Sequence, residues 1–365
     1  MSVKHLDNMQ KILGNDIAYL IFHTTGRCNA FCNHCFVWEN VEAAGKFSAP
    51  DKPSLRDELS LDEINKISQG FPYLLLVNLA GGEPFLRKDI VEIAKIFYKN
   101  NKVNFITIPT NGFLPEVIVP QVEKLCQELP DVFFRLSISI DDIGIEHNKI
   151  RSFKDGYETL LKTARDLQFL KEKCNNFDLR AVSVFTQKNQ DHFEELLDEL
   201  ENLEIFDAIT VMLIRGNPKD PELKKIDIQK FTKIQKRLNN GLARSWRHPG
   251  SKILSQILAK TSEGVIDSFL NPGVRKFKCY QGQKSLVLND IGNVFACEIL
   301  EDKPLGNIRD FNYKIQDLLK HQKSQEIINF IKAKKCACTW ECAINTSQIF
   351  NASAWPALGM RSLVN

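Results

Sequence analysis

His23-Thr24-Thr25-Gly26-Arg27-Cys28-Asn29-Ala30-Phe31-Cys32-Asn33-His34-Cys35-Phe36 carries three cysteines at C-x3-C-x2-C. Thiolates are the usual protein ligands of iron–sulfur clusters. Three on one short loop can hold three irons of a cubane and leave the fourth open to a small molecule. A fully ligated cluster mainly passes electrons. The common zinc pattern uses paired ligands in two separated knuckles and does not fit. A structural zinc loop and three unrelated buried cysteines are the plainer alternatives.

Working outward, Asp16 to His23 is a β-rich run that leads straight into this loop. Further strands are expected at Tyr73 to Leu79, Asn104 to Pro109, Val132 to Ile140, Leu179 to Phe185 and Ala208 to Ile214. Helical patterns separate them at Leu61 to Gln69, Lys88 to Tyr98, Pro120 to Glu128, Asp155 to Lys171 and Asp191 to Leu200. Ser60 reads as a helix N-cap with Glu63 three residues on. Val37 to Leu59 is mixed and polar and reads as a loop. Strands alternating with helices imply parallel pairing with right-handed crossovers. Six units are too few for a closed eight-stranded barrel. The expected fold is therefore α/β, a (β/α)6 partial TIM barrel. Chemistry in such folds sits at the C-terminal ends of the strands. The cysteine loop, Gly81-Gly82-Glu83-Pro84, Thr110-Asn111-Gly112, Ser139-Ile140-Asp141 and Arg215-Gly216-Asn217 all follow strands and converge on one rim.

The 365 residues are 43% apolar and 25% charged, ordinary for a globular chain. No apolar run approaches a membrane span. Met1 to Gln10 is polar and lacks a secretory apolar region, so a cytoplasmic protein is expected. Ten cysteines then argue for metal rather than disulfides. The net charge of +3 is uneven: Asn217 to Lys278 holds 14 Lys/Arg against 5 Asp/Glu, and the remainder holds 34 against 40. That basic block is either a solvated helical face, or a platform for an acidic or phosphorylated substrate, an acidic redox partner or a membrane surface. No nucleic-acid partner is expected.

At the cysteine loop the chain resembles the radical S-adenosylmethionine (SAM) enzymes. In that family C-x3-C-x2-C binds a 4Fe–4S cluster whose open iron chelates SAM, and reductive cleavage gives a 5′-deoxyadenosyl radical. His34 stands where the family usually has an aromatic residue, a variant found among members with extra clusters. The resemblance implies metal ligation by Cys28, Cys32 and Cys35. It implies binding of the methionyl amino group by Gly81, Gly82, Glu83 and Pro84, whose plainer reading is a strand-to-helix turn. Ser139 and Asp141 match a position that contacts the ribose or carboxylate of SAM. Arg151 would pair the methionyl carboxylate through its planar fork, unless it is an ordinary surface arginine. Asn111 reads as a turn residue.

A second group begins as C-x12-G-x4-C at Cys279, Gly292 and Cys297, and continues at Cys336, Cys338 and Cys342 as C-x-C-x3-C. Ser285 to Ala296 between them reads as a β-hairpin. This resembles the SPASM and twitch domains, which carry auxiliary 4Fe–4S clusters. Five cysteines suffice for one auxiliary cluster. By the resemblance Cys279, Cys297 and Cys342 are ligands, with Cys336 or Cys338 as the fourth. A zinc at Cys336, Cys338 and Cys342 is the alternative. Cys126 and Cys174 read as inert thiols. Glu298 follows Cys297, where sulfatase-maturating relatives place a general base. A carboxylate beside a cluster in a dry cavity would have the raised pKa a base needs. The alternative is an exposed glutamate at a strand end.

The implied organisation is a radical SAM core at 1–216, a basic helical linker at 217–278, and a small hairpin-and-helix auxiliary-cluster domain with a tail at 279–365. The implied activity is hydrogen abstraction from a small-molecule or peptide substrate, fed by a flavodoxin- or ferredoxin-type reductant. A peptide maturase usually has a recognition domain before the cluster, and only 27 residues precede Cys28. The molybdopterin-precursor enzymes end in Gly-Gly, unlike Ser362-Leu363-Val364-Asn365. A small-molecule dehydrogenase such as the twitch-bearing aminocyclitol oxidase stays open. The competing class is a non-catalytic iron–sulfur electron carrier or redox sensor, which needs no Gly-Gly-Glu-Pro motif and no open iron.

Overall fold

The computed structural model describes residues 14–45, 53–245 and 251–351. The polar stretch Met1 to Gln10, the end Ser362 to Asn365, and parts of the expected 37–59 loop and basic block lie outside the described residues.

Six strands form where expected: β1 (Tyr19–Thr25), β2 (Leu76–Gly81), β3 (Phe105–Thr110), β4 (Phe133–Ser139), β5 (Phe177–Phe185) and β6 (Ala208–Leu213). Each pairs in parallel with the next. Helices cross between them with one apolar face inward. Ile90–Asn101 buries Ile90, Ile93, Ala94 and Phe97, the i, i+3, i+4, i+7 stripe of a helix against a sheet. The Ser60–Glu63 capping box closes as expected: the Ser60 side chain accepts the Glu63 N–H, and the Glu63 carboxylate accepts the Ser60 N–H.

Two local expectations are corrected. The helix expected from Pro120 runs from Pro115 to Glu128 with Pro120 inside it. Pro115 opens the helix, where a missing N–H costs nothing, and Pro120 forfeits only one bond near the start. The expected 37–59 loop contains a short helix, Trp38–Ala43. It is held by burial of Val41 and by the Trp38 indole N–H, which donates to the Asn217 carbonyl at 3.2 Å.

The C-terminal hairpin also forms, but as part of the same sheet. β7 (Ser285–Leu288) runs parallel to β1, with Tyr19 opposite Ser285. β8 (Asn293–Phe295) and β9 (Gly306–Asn307) follow antiparallel. The nine-stranded order is β6-β5-β4-β3-β2-β1-β7-β8-β9. β7 thus satisfies the row of N–H and C=O groups that an edge at β1 would expose. It also carries the second cysteine group to the strand that feeds the first.

The basic segment is helical, at Ile228–Ser245 and Ser251–Leu270. Three of its cations are turned onto the acidic helix Phe193–Asn202 and its approach. Arg237 pairs with Glu194, Asp198 and Glu201 at 2.9, 2.7 and 2.6 Å, Lys233 pairs with Glu194 at 3.0 Å, and Lys230 pairs with Asp191. Charges neutralised by their own neighbours offer little field to an acidic partner. No helix among the described residues is long and apolar enough to cross a membrane.

Candidate functional site

The cysteine loop leaves the end of β1 and is tied down by backbone. The Phe31 and Asn33 N–H groups donate to the carbonyls of Arg151 and Ile150 at 3.2 and 3.3 Å. Those carbonyls end the helix Gly144–Arg151 and lack intrahelical donors. Cys28 and Cys32 are buried and Cys35 is half-buried. Burial pushes the Cys28 thiol well up, and Cys32 and Glu83 push it further. Cys35 is pushed up to about 12 by burial and then by Cys32. Thiols that oppose one another's ionisation need a cation to become thiolates together. A bound iron cluster supplies one, so these three residues fit such a group. Among the described residues no three His, Cys, Asp or Glu side chains converge on a single-ion site.

Gly81 and Gly82 explain themselves by close approach. Gly81 has φ +135°, and a Cβ on it would lie 2.4 Å from the Thr25 carbonyl oxygen. A Cβ on Gly82 would lie 2.1 Å from that of Arg27. The Gly82 and Glu83 N–H groups donate to Thr25 and Arg27 carbonyls at 2.9 and 2.7 Å. The turn is therefore sewn to the cysteine loop. Glu83 is 1% exposed, and burial pushes its carboxyl up to about 7 against the Asn111, Thr110 and Phe85 donors. Its carboxylate accepts Thr110 Oγ1 and the Asn111 N–H, each at 2.8 Å, and the Phe85 N–H at 3.3 Å. Glu83 thus staples β2 to β3, and Pro84 begins a 3-10 turn behind it. Asn111 is more than a turn residue: its Nδ2 donates to Asn29 Oδ1 at 2.7 Å and lies 4.0 Å from Cys28 Sγ.

Asp141 and Arg151 meet under the loop, while Ser139 ends β4 with partial exposure. Arg151 Nη2 lies 2.5 Å from Asp141 Oδ2, and Nη1 donates to Cys32 Sγ at 3.7 Å. The fork expected to face a carboxylate of SAM is turned to these two groups, and Nε alone is buried without a partner. Burial favours a neutral Asp141, but Arg151, His34, His147 and the Val184 N–H bond together hold the carboxyl below its usual range. His34 Nε2 lies 3.6 Å from Asp141 Oδ2, and burial lowers this imidazole to about 4.

His147, unmarked in the sequence, is fully buried, and its Nδ1 accepts the Asp141 N–H at 3.2 Å. A charged ring would turn an N–H against that donor, and burial with the nearby Arg151 lowers its pKa to about 3. The unfolded chain therefore takes up a proton below about pH 6.5 that the folded chain refuses. Stability from this group is present above that pH and is lost as pH falls toward 3. His147→Phe should flatten the stability–pH slope by about 1.4 kcal/mol per unit between about pH 6 and 4. Denaturant titrations of the metal-free chain measure this; an unchanged slope would exonerate His147.

The second cysteine group gathers beside β7 and β8. The Cys297 thiol feels Cys338 and Cys279, and Cys338 feels Cys279 and Cys336. Cys342 meets an arginine: Arg215 Nη1 donates to its Sγ at 3.8 Å and to Glu341 Oε2 at 3.0 Å. The Arg215 guanidinium stacks 4.5 Å from the Trp340 ring centre, and Trp340 packs edge-on against Phe36 at 5.1 Å.

Glu298 accepts the Trp340 indole N–H at 2.8 Å and contacts His23 Nε2 at 3.3 Å. Burial pushes its carboxyl up, but the His23 bond, the Arg215 charge and the Trp340 bond together hold it below the usual range. This corrects the raised pKa expected for a base: the cation and donors brought by the fold outweigh the dry setting. Glu298 is also buried rather than exposed at a strand end, with 7% of its side chain accessible.

Two cavities of about 430 Å³ each adjoin it. Phe36, Asn217, Glu298, Ile299 and Glu301 line both. Phe36 follows Cys35, and Cys338 lines the first cavity, so the space touches segments of both thiol groups. His23, Arg215 and Trp340 complete its walls; His23 and Arg215 carried a sequence signal, as the ends of strands, and Trp340 carried none.

A three-thiol loop on the C-terminal rim of an open six-stranded parallel barrel, packed against a Gly-Gly turn, defines a class of protein. Residues 22–200 match the family model described as the radical SAM superfamily, so the chain carries a radical SAM domain there. It is 28% identical over 305 residues to an AdoMet-dependent heme synthase of Methanosarcina barkeri, covering 80% of this chain and 79% of that protein. It is 28% identical over 193 residues to a probable GTP 3′,8-cyclase of Methanococcus maripaludis, covering 49% of this chain. The match spans 59% of that cyclase. The solved structure described as native anSMEcpe with bound AdoMet and Cp18Cys peptide shares the fold, with TM-score 0.57 and 19% identity over 95% of this chain and 99% of that one.

Proposed function

We propose that the chain is an oxidoreductase or maturase-type radical enzyme with a SAM-binding cluster at Cys28, Cys32 and Cys35 and one auxiliary cluster. When bound, the first cluster would supply the electron that cleaves SAM, giving a radical that abstracts hydrogen from the substrate. The chain's own residues do the rest. The Gly81–Pro84 turn and the Arg151 carbonyl hold the loop, and the unpaired Arg151 Nε and Asn29 Nδ2 are buried polar atoms available to a polar cosubstrate. Cys279, Cys297 and Cys342, with Cys336 or Cys338 as the fourth, are taken as the auxiliary ligands; Cys336 Sγ accepts Arg275 Nη1 at 3.3 Å and Cys342 Sγ accepts Arg215 Nη1 at 3.8 Å.

The observation that carries this reading is the cavity lined by Phe36 on one side and Cys338 on the other. Its size suits a small molecule or one side chain of a peptide. Glu298, ionised and fixed by His23 and Trp340, would orient or deprotonate the substrate there. An electron carrier would need no such space.

Anaerobic reconstitution tests the proposal. About eight irons per chain are expected, two cubanes of four. SAM and dithionite should then yield 5′-deoxyadenosine. About four irons would remove the auxiliary cluster, and absence of deoxyadenosine at full loading would favour a carrier.

A further inference from the structure

Arg275 lies in the connection between Leu270 and β7, yet it is only 6% exposed. Its Nη1 donates to Cys336 Sγ at 3.3 Å, and its Nη2 donates to the Ile331 carbonyl. Its Nε is buried without a partner. Among the described residues no carboxylate pairs with it. Its charge also reaches the Cys279 and Cys338 thiols. The other two arginines that touch cysteine sulfur are differently placed: Arg151 has Asp141, and Arg215 has Glu341. A buried guanidinium without a counter-charge is costly. The acidic groups that surround Arg275 are thiols.

We propose that Arg275 is the built-in counter-charge of the auxiliary cluster and that its N–H···S bond raises the cluster's reduction potential. This rests on the auxiliary-cluster reading above. Net charge and hydrogen bonds to sulfur are main determinants of iron–sulfur potentials. A fixed cation stabilises the state with the added electron more than the state without it. Arg275 is therefore a positioning residue that acts through Cys336 and its neighbours, and it makes the cluster a better acceptor of one electron.

The test is a redox titration followed by electron paramagnetic resonance. It uses the full chain with Cys28, Cys32 and Cys35 replaced by alanine, so that only the auxiliary signal remains. Arg275→Gln keeps an N–H donor and removes the charge. It should shift the reduced-to-oxidised ratio about tenfold toward oxidised at a fixed potential, about 59 mV for one electron. Arg275→Lys keeps the charge and should bring the potential back toward that of the parent. A Gln variant with full iron and an unmoved potential overturns the proposal. If the Gln variant loses iron, a Lys variant that keeps its iron near the parent potential supports the charge role, and loss from both variants overturns it. A parent without auxiliary iron overturns the cluster reading as well, and the iron assay tells that failure apart from an unmoved potential.

Discussion

Replacing Cys28, Cys32 and Cys35 together with alanine should abolish 5′-deoxyadenosine formation and remove about four of about eight irons. The remaining irons should stay with the second cysteine group. The structural reason is separation of supports. The first loop hangs on the helix end at Ile150 and Arg151 and on the Gly82–Glu83 turn, all through backbone bonds that alanine leaves in place. The second group rests on β7, β8 and the segment after Lys332, which the substitutions do not touch. Iron content and product assay on the same sample check both halves. SAM cleavage by the triple variant would sink the radical reading, and loss of all iron would show that the two sites fold as one.

Arg151→Met should destabilise the chain by about 3–5 kcal/mol, the usual cost of stranding one partner of a buried ion pair. Asp141 is 1% exposed and its carboxylate faces Arg151 at 2.5 Å. The imidazoles beside it, His34 and His147, are held neutral and cannot replace the charge. Adding Asp141→Asn removes the stranded charge while keeping an acceptor for the Val184 N–H, which Asp141 Oδ1 takes at 2.9 Å. The double variant should therefore regain most of the loss. Chemical denaturation of the metal-free proteins measures it. A single variant within about 1 kcal/mol of the parent would place the pair among weak surface bridges.

The six strands were legible because each is a local apolar run ending at a turn, and their alternation with helices permits few topologies. The glycine turn was legible by position, but its reason was not. That a Cβ on Gly81 or Gly82 would run into the backbone of Thr25 and Arg27 shows only in the folded chain. Arg151 was singled out through the family resemblance, while its partners, Asp141 and Cys32, depend on how a helix packs under a loop. His147 and Arg275 had no local mark. Each acquires its role from burial against groups far along the chain.

By itself, the sequence determined the parallel α/β core, the three-thiol loop at the end of its first strand, and the presence of a second cysteine group around a hairpin. These are short-range properties: residue period, turn chemistry and ligand spacing. Tertiary structure alone decided that the hairpin joins β1 at Ser285, that basic Arg237 is neutralised by Glu194, Asp198 and Glu201, and that Glu298 is held ionised. The physical reason is that charge state and edge pairing are sums over neighbours. For Glu298 those neighbours are His23, Arg215 and Trp340, which come from three different parts of the chain and meet only when the sheet closes its β1 edge.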